Sequence, residues 1–172
     1  MKKTIYLAAG CFWGAQHYLK QINGILETET GFANGDTAIK DVTYQQVYTD
    51  STGYAEAVRV VYDPTVLPLR TLVELYFKCI DPVSVNQQGE DRGTRYRTGI
   101  YYTSSDDLPV IRQVYDSIQR RYPTPLAVEV EPIEVFQPAD EYHQDYLDKH
   151  PDGYCHLPEA LFEMARQANK KS

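Results

Sequence analysis

Residues 4–22 read Thr-Ile-Tyr-Leu-Ala-Ala-Gly-Cys-Phe-Trp-Gly-Ala-Gln-His-Tyr-Leu-Lys-Gln-Ile. The pattern of this stretch predicts the first two elements of the fold. Residues 4–9 form a short apolar run, which predicts a buried strand that ends at Gly10. After Cys11 the apolar residues recur near the helical period of 3.6, until Asn23 and Gly24 end the pattern. The stretch therefore predicts a strand that turns directly into a helix, with a cysteine at the turn.

The rest of the chain continues the alternation of strands and helices. Apolar runs predict strands at residues 25–33, 54–62, 98–103 and 127–135. Periodic apolar residues predict helices at residues 69–80, 104–122, 139–150 and 158–168, and the polar segment 81–97 is predicted to be a loop. The order β-α-β-β-α-β with additional helices is typical of an α+β two-layer sandwich of the ferredoxin-like type. Because the connections are mixed, a wholly parallel sheet is not expected.

Length and charge limit the domain organisation and the partners. A chain of 172 residues suits one compact domain, with a core at about 3–150 and an irregular C-terminal segment at 151–172. The chain has 17 Lys and Arg against 24 Asp and Glu, a net charge of −7 that repels nucleic acids and anionic membrane surfaces. We therefore expect no nucleic-acid partner and no membrane partner.

The three cysteines indicate the cellular compartment. They are separated widely, with no CxxC pair, which is a poor disulfide framework and fits a reducing environment. The apolar stretch before Cys11 is about five residues long, shorter than the ~7–15 residues of a signal-peptide core. We therefore expect a cytoplasmic protein.

Cys11 is the first candidate for chemistry. At a helix start it would lie near unsatisfied N–H groups and the positive end of the helix dipole, so we expect a thiol pKa below the usual ~8.5. The alternative is a small buried core residue. Phe12 and Trp13 follow, and because consecutive helical residues face different directions, we expect one of them to line the space above the thiol. The alternative for both aromatic residues is core packing.

Glu56 is the second candidate, because it interrupts a strand of small and apolar residues at 53–58. A carboxyl group against an apolar face has a raised pKa and can donate a proton near neutral pH. The alternative is an exposed residue on an edge strand.

Three further polar residues suggest chemistry less directly. His143 could act as a base for Cys11, although it could equally be a supporting residue on a helix surface. Cys155 follows a glycine turn in a polar segment, from which a thiol could reach a second thiol, whereas Cys79 lies in a predicted apolar helix and is most simply a core residue. The histidines and cysteines near the C-terminus lack HxxxH or CxxC spacing, so no metal site is expected.

Five blocks of sequence have the order of a known family. They are Gly-Cys-Phe-Trp-Gly at 10–14, Gly-x-Ala-Glu at 53–56, Gln-Gly-x-Asp-x-Gly-Thr-x-Tyr-Arg at 88–97, Tyr-His-Gln-x-Tyr-Leu at 142–147 and His-Pro-x-Gly-Tyr-Cys at 150–155. Together they resemble the peptide methionine sulfoxide reductases of the A type over nearly the whole chain. One such block would be weak evidence, but five in order are specific.

The resemblance implies a reaction and a set of site residues. It implies reduction of the S epimer of methionine sulfoxide, free or in proteins, with no metal or organic cofactor and with thioredoxin as reductant. Cys11 would attack the sulfoxide sulfur and become a sulfenic acid, and Cys155 would resolve it as a Cys11–Cys155 disulfide. The other implied roles are methyl binding by Phe12 and Trp13, proton donation by Glu56, hydrogen bonding by Tyr44 and Tyr96, and completion of the polar wall by Asp91. Such an activity repairs oxidised proteins under oxidative stress.

The chain departs from the family pattern at several positions. Tyr54 stands where histidine is common, Arg95 where glutamine is common, and Cys79 and Ile80 where histidine is common before Asp-Pro. No cysteine follows Cys155, so thioredoxin would have to attack the Cys11–Cys155 disulfide directly.

The residues leave two other classes of protein open. A cysteine phosphatase would need an arginine six residues after its cysteine, and that position holds His17. A non-catalytic protein that binds methionine-like side chains could use the same aromatic residues, but binding alone requires no thiol.

Overall fold

Eight strands form two sheets in the computed structural model, which describes residues 1–169. The strands are β1 (Lys3–Ala9), β2 (Ile25–Ala33), β3 (Ala55–Tyr62), β4 (Gln87–Gln88), β5 (Asp91–Arg92), β6 (Thr98–Tyr102), β7 (Glu129–Pro132) and β8 (Phe136–Pro138). Six of them form the main sheet in the spatial order β7-β6-β1-β3-β2-β8, and β4 and β5 form a separate hairpin. Residues 170–172 of the expected C-terminal segment lie outside the described residues.

Helices cover the main sheet and extend the chain beyond it. They are α1 (Phe12–Lys20), α2 (Tyr44–Tyr48), α3 (Leu69–Lys78), α4 (Leu108–Gln119), α5 (Tyr146–Lys149) and α6 (Glu159–Ala168). Short 3-10 turns occur at Thr94–Tyr96, Ser105–Asp107 and Glu141–His143. Within residues 1–169, no helix is both long enough and apolar enough to cross a membrane.

The central four strands have the predicted connectivity. The order β6-β1-β3-β2, with α1 and α3 as the two crossover helices, is that of the ferredoxin-like sandwich, so the α+β prediction is confirmed. All described pairings in the main sheet are antiparallel except that of β6 with β7. The sheet is therefore mixed, as the connections indicated.

The two faces of β1 separate a large core from a small one. Ile5, Leu7 and Ala9 point into the large apolar cluster with α1 and α3, whereas Ala8 belongs to a small cluster on the opposite face. Side chains along a strand alternate between its two faces with a period of two residues, and both faces of β1 are buried. Because β1 and β3 lie at the centre of the sheet, residues at their ends are fixed by packing on both sides.

Three sequence predictions of secondary structure were wrong, and the first is the loop predicted at 81–97, which contains β4, β5 and the 3-10 turn at Thr94–Tyr96. The helix predicted at 139–150 is broken because Gln144 has an extended backbone and Asp145 a left-handed one, with φ of 51°. The side chain of Gln144 accepts a hydrogen bond from the N–H of Thr30 at 2.8 Å and donates to its carbonyl at 2.9 Å. The side-chain amide of Gln144 therefore bonds to the backbone of Thr30 as a neighbouring strand would. The helical periodicity of the sequence does not reveal this contact.

Of the strand predicted at 127–135, only residues 129–132 form a strand, β7, and a second strand, β8, follows at 136–138 on the opposite edge of the sheet. β7 pairs with β6, and β8 pairs with β2, although only residues 133–135 separate the two strands. Three residues can span at most about 14 Å between the strand ends, so the sheet curls until its edges approach each other. The side-chain oxygen of Asn34 accepts the N–H groups of Glu134 at 2.8 Å and Val135 at 3.3 Å, which fixes this crossing.

The buried hydroxyl of Tyr76 connects α3 to the strand end that leads to Cys11. It donates to the carbonyl of Ala8 at 2.6 Å and accepts from the N–H of Gly99 at 3.0 Å. Ala8 and Gly99 are partners in the pairing of β1 with β6. The tyrosine therefore holds β1 and β6 together just before the turn.

We expect Tyr76→Phe to lower the free energy of unfolding by about 1–3 kcal/mol, because it leaves a buried carbonyl and a buried N–H without this partner. Urea unfolding followed by circular dichroism measures the change. Tyr122→Phe, at an exposed tyrosine, is the matched control and should change stability by less than about 0.5 kcal/mol. Equal stability of the Tyr76→Phe variant and the unaltered protein would contradict this account.

Candidate active site

Cys11 lies at the turn from β1 to α1, at the N-cap position of the helix. Only 5% of its surface is exposed. Gly10 has a φ of +80°, a backbone conformation that glycine adopts without strain. A Cβ at Gly14 would lie 3.0 Å from the Sγ atom of Cys155. The two glycines therefore form the turn and allow the C-terminal segment to approach it.

The prediction of a lowered thiol pKa at Cys11 was wrong for this reduced state. Burial raises the pKa of Cys11 well above its ordinary value, and the nearby carboxyl group of Glu56 raises it further. The N–H groups of Trp13 and Gly14 lower the pKa of Cys11, as predicted, because they favour the thiolate. Their effect is smaller than the increase that burial causes. The helix start could be identified from the sequence, whereas the depth of the sulfur depends on tertiary packing.

Glu56 lies on the central strand β3 and is 1% exposed, so the interpretation as an exposed edge residue is excluded. Burial raises its pKa to about 8, while the N–H of Phe12 acts in the opposite direction. That N–H donates to Oε1 of Glu56 at 3.1 Å. With Oε1 engaged as an acceptor, the proton of the neutral carboxyl group belongs on Oε2. At neutral pH, Glu56 is therefore mainly a buried proton donor.

Two tyrosines and an arginine complete the surroundings of Glu56. The carboxyl group of Glu56 contributes, after burial, to the raised pKa of both Tyr44 and Tyr96, and the pKa of Tyr96 is about 12. Both phenols therefore stay protonated near neutral pH and can donate hydrogen bonds. The guanidinium carbon of Arg95 lies 4.3 Å from the centroids of the Tyr48 and Tyr96 rings.

The charge of Arg95 is neutralised away from the thiol. Its Nη1 atom pairs with Oδ2 of Asp50 at 2.7 Å and donates to the carbonyl of Tyr48 at 3.2 Å. The departure from the family pattern at this position thus places a buried cation behind Tyr96. This cation lowers the pKa of Glu56 without cancelling the larger effect of burial.

Trp13 is held in place by aromatic neighbours. Its ring stacks on that of Tyr146 with a centroid distance of 3.7 Å, and its Nε1 atom donates to Nδ1 of His143 at 3.1 Å. The ring of His143 in turn stacks on that of Tyr44 at 4.4 Å. His143 is therefore a supporting residue that accepts from Trp13, with its own proton on Nε2, and this contact does not favour its interpretation as a base for Cys11.

A cavity of about 390 Å³ opens beside these rings. It is lined by Trp13, Tyr44, Gln45, Asp140, Tyr142 and His143. Phe12, in contrast, has no exposed surface and packs against Phe32, Tyr44 and His143. Of the two consecutive aromatic residues, Trp13 thus forms a cavity wall and Phe12 lies behind it.

The C-terminal segment closes the other side of the turn. Besides the contact of Cys155 with Gly14, the N–H of Leu157 donates to the Cys155 Sγ atom at 3.4 Å. Asp91 faces this segment, because its carboxyl group contributes to the raised pKa of both Cys11 and Cys155 after burial. All three cysteines are free thiols, and Cys79 lies buried in the core, as expected.

The eight predicted site residues converge around the start of α1. The structure brings together Cys11, Phe12, Trp13, Tyr44, Glu56, Asp91, Tyr96 and Cys155. Sequence reasoning did not identify Tyr146, which stacks on Trp13, although it belongs to one of the family blocks. It also did not identify the helix that carries Tyr44, which a capping box of Thr43 and Gln46 starts.

The donor set around Cys11 favours acid-assisted thiol chemistry. The titratable side chains that act on Cys11 are the carboxyl groups of Glu56 and Asp91, which do not favour a bound phosphate. Among residues 1–169, no group of three or more His, Cys, Asp or Glu residues could hold a metal ion. The arrangement combines a buried thiol, a neutral carboxyl group, two phenols and a second thiol within one small region.

A family model for peptide methionine sulfoxide reductase matches residues 3–172. This chain belongs to that family. It is 48% identical to the peptide methionine sulfoxide reductase MsrA of Lachnoclostridium phytofermentans over 98% of this chain and 100% of the relative. The A-type family assignment is therefore confirmed, and the protein is an enzyme, an oxidoreductase of the methionine sulfoxide reductase class.

Solved structures of yeast Mxr1 (Saccharomyces cerevisiae) resemble this fold in different degrees. The reduced form matches with a TM-score of 0.87 at 38% identity over 91% of both chains. An unusual oxidised form gives a TM-score of 0.66 over 89% of this chain and 84% of that chain, at 37% identity. A complex of Mxr1 with Trx2 gives a TM-score of 0.59 at 27% identity, over 84% of this chain and 84% of that chain. The greater similarity to the reduced form agrees with the three free thiols here.

The raised pKa of Glu56 predicts a dependence of stability on pH. Its ordinary value is 4.5 and its value in the folded protein is about 8. Between these values the folded protein keeps a proton that the unfolded chain releases, so this group lowers stability as the pH rises. We expect Glu56→Gln to be more stable than the unaltered protein by about 1–3 kcal/mol at pH 7, and equally stable near pH 4.

Thermal or urea unfolding at both pH values measures this difference. Glu27→Gln, at an exposed carboxyl group, is the matched control and should show no such gain at pH 7. A Glu56→Gln variant that is less stable than the unaltered protein at pH 7 would show that the carboxyl group is ionised and well satisfied in the fold.

Proposed function

We propose that the protein reduces the S epimer of methionine sulfoxide, free or in proteins, to methionine by a thiol-dependent cycle. The observation that supports this most directly is the buried, neutral carboxyl group of Glu56 beside the Cys11 thiol. A sulfoxide sulfur is a poor electrophile until its oxygen is protonated or strongly hydrogen-bonded. A neutral acid, two phenols and a thiol are the groups that such a step requires.

In the first step, the sulfur of Cys11 attacks the sulfoxide sulfur. Oε2 of Glu56 gives its proton to the sulfoxide oxygen, and the hydroxyl groups of Tyr44 and Tyr96 donate hydrogen bonds to the same oxygen. The S–O bond of the sulfoxide breaks and the protonated oxygen becomes bonded to the sulfur of Cys11, so that methionine leaves and Cys11 becomes a sulfenic acid, the first stage of thiol oxidation. The thiol proton of Cys11 replaces the one that Glu56 gave, so no net proton is consumed.

The aromatic wall would orient the substrate. Trp13, held by Tyr146 and His143, forms the side of the cavity that would contact the methyl group, with Phe12 behind it. The hydroxyl donors would fix the oxygen on the opposite side. The sulfoxide sulfur is chiral. If the methyl group and the oxygen are both fixed, only one of the two epimers exposes its sulfur to Cys11. We propose that this is how the S epimer is selected.

The second step uses Cys155 as the resolving thiol. Its sulfur lies against Gly14, in the first turn of the helix that Cys11 caps. Attack on the sulfenic acid forms a Cys11–Cys155 disulfide and releases water. Thioredoxin would then reduce this disulfide, a proposal that the complex of the related yeast protein with Trx2 supports.

The setting of the activity follows from the same features. Sparse cysteines and a thioredoxin-dependent cycle suit the cytoplasm, and the substrate suits repair of proteins under oxidative stress. The family match over residues 3–172 supports a single catalytic domain, in which 151–172 carries the resolving cysteine. The cycle as proposed uses no metal or organic cofactor.

We expect reduced protein mixed with the S epimer, without any reductant, to release one methionine and to lose two of its three thiols, with Cys79 remaining free. The R epimer should produce neither change. Methionine is measured by chromatography and the free thiols by alkylation and mass spectrometry. Glu56→Gln should slow methionine release by about 100-fold or more, because it removes the proton donor.

The same experiment separates a reductase from a protein that only binds the substrate. A binding protein would retain all three thiols with either epimer, and Glu56→Gln would leave its affinity nearly unchanged. Thiol loss with both epimers would instead contradict the proposed selection by the cavity. Glu27→Gln serves again as the control at an exposed carboxyl group.

A further inference from the structure

His156 lies buried against the catalytic turn, in a position that the proposed steps above do not use. Only 3% of its side chain is exposed. Its Nε2 atom lies 3.2 Å from the carbonyl oxygen of Ala9, the residue at the end of β1. Because a carbonyl oxygen can only accept a hydrogen bond, Nε2 carries the proton. In the neutral ring, Nδ1 is then an acceptor.

The acceptor atom of His156 faces another acceptor. Nδ1 lies 3.9 Å from Oδ2 of Asp91, and neither atom has a hydrogen-bond partner among the described residues, although both are buried. Buried polar atoms without a partner are rare in folded proteins. At 3.9 Å the two atoms are too far apart for a hydrogen bond, so a proton on Nδ1 together with a small approach of the two side chains would provide the missing partner for both.

The resolving thiol lies beside this pair. The Sγ atom of Cys155 lies 3.0 Å, and Nδ1 of His156 3.2 Å, from the same point, where a Cβ would stand on Gly14. Burial raises the pKa of Cys155, so its sulfur is a thiol in the resting protein. Because the thiolate is the attacking species in disulfide formation, a proton must leave Cys155 before or during the step.

We propose that His156 and Asp91 together accept the proton of the Cys155 thiol when this thiol attacks the sulfenic acid of Cys11. This inference rests on the proposed function, since it assigns the proton of its second step. The sulfur of Cys155 bonds to that of Cys11, the S–O bond breaks, and hydroxide leaves with a proton from Glu56 as water. The pair later releases its proton to solvent and Glu56 regains one from solvent, so one disulfide and one water are formed from a thiol and a sulfenic acid.

The charged groups around the pair are consistent with proton uptake. Burial lowers the pKa of His156, whereas Asp91 on β5 and the carbonyl of Ala9 raise it. Glu159, at the start of α6, acts on neighbouring Cys155, and Glu90, in the turn before β5, acts on Tyr154. Of these carboxyl groups, Asp91 acts directly on His156, so it stabilises an added positive charge there.

The test is a single turnover in which the two steps are timed separately. Reduced protein is mixed with the S epimer without a reductant, and samples are quenched for methionine and for the Cys11–Cys155 disulfide. We expect His156→Gln to release methionine within about twofold of the normal rate but to form the disulfide ~100-fold more slowly at pH 7. Glutamine can still donate to the carbonyl of Ala9 but cannot take up a proton. His150→Gln, at an exposed histidine, should leave both rates unchanged.

The pH profile distinguishes proton uptake from a purely structural role. The rate of disulfide formation in the unaltered protein should level off above the pKa of the pair, whereas that of His156→Gln should keep rising with pH. His156→Ala, which leaves space beside Gly10 and Gly14, should recover a rate that increases with added imidazole.

Three results would overturn or redirect this inference. Normal disulfide formation in His156→Gln would overturn it, as would slower formation with an unchanged pH profile and no rescue by imidazole. Absence of methionine release from the unaltered protein would instead contradict the proposed function, and with it the second step in which the pair takes part.

Discussion

The hydrogen bond from the N–H of Phe12 to Oε1 of Glu56 determines how the rest of the site is arranged. At 3.1 Å it joins the start of α1 to the beginning of β3, one of the two central strands of the sheet. It holds the carboxyl group near the thiol of Cys11 and leaves Oε2 as the oxygen that can carry the proton. Burial then keeps that oxygen protonated near neutral pH, because the pKa of Glu56 is about 8. A carboxyl group that destabilises the fold when ionised is thereby an available acid for the reaction.

The resting site keeps both reacting groups neutral, and this has consequences for its reactivity. The buried thiol of Cys11 has a raised pKa, so it is not a freely reactive thiolate in the absence of substrate. The same burial that suppresses the thiolate maintains Glu56 as an acid. Substrate would bring the sulfoxide oxygen to that acid, and proton exchange between the two groups then needs no base from solvent. The site is thus suited to a sulfoxide and poorly suited to nonspecific oxidation.

Much of the fold could be predicted from the sequence, because the strands and helices of the core have clear apolar periodicity. β2 has the predicted bounds, and α6 begins within one residue of the prediction. The broken helix at 139–150 could not be predicted, because the amide of Gln144 replaces a strand partner for Thr30. The curled sheet was also hidden, since the two edges are joined by side-chain hydrogen bonds of Asn34.

Some features of the candidate site could likewise be predicted from local sequence, whereas others depend on tertiary packing. Motifs identified the residues that converge, and the position of Cys11 at a helix start followed from local pattern. The direction of its pKa shift did not, because burial depends on segments far along the chain, such as the one that carries Cys155. The buried pair of His156 and Asp91 has no local signature either, since it is formed by the hairpin and the C-terminal segment.

The central claim is that Glu56 is protonated at neutral pH beside a thiol of Cys11. Infrared difference spectroscopy of the unaltered protein against Glu56→Gln tests it directly, through the C=O stretch of a neutral carboxyl group. The account predicts that this band is present at pH 7 and is lost with a midpoint of about 8. A Glu56 carboxylate already ionised at pH 6, with no neutral band at any higher pH, would contradict it.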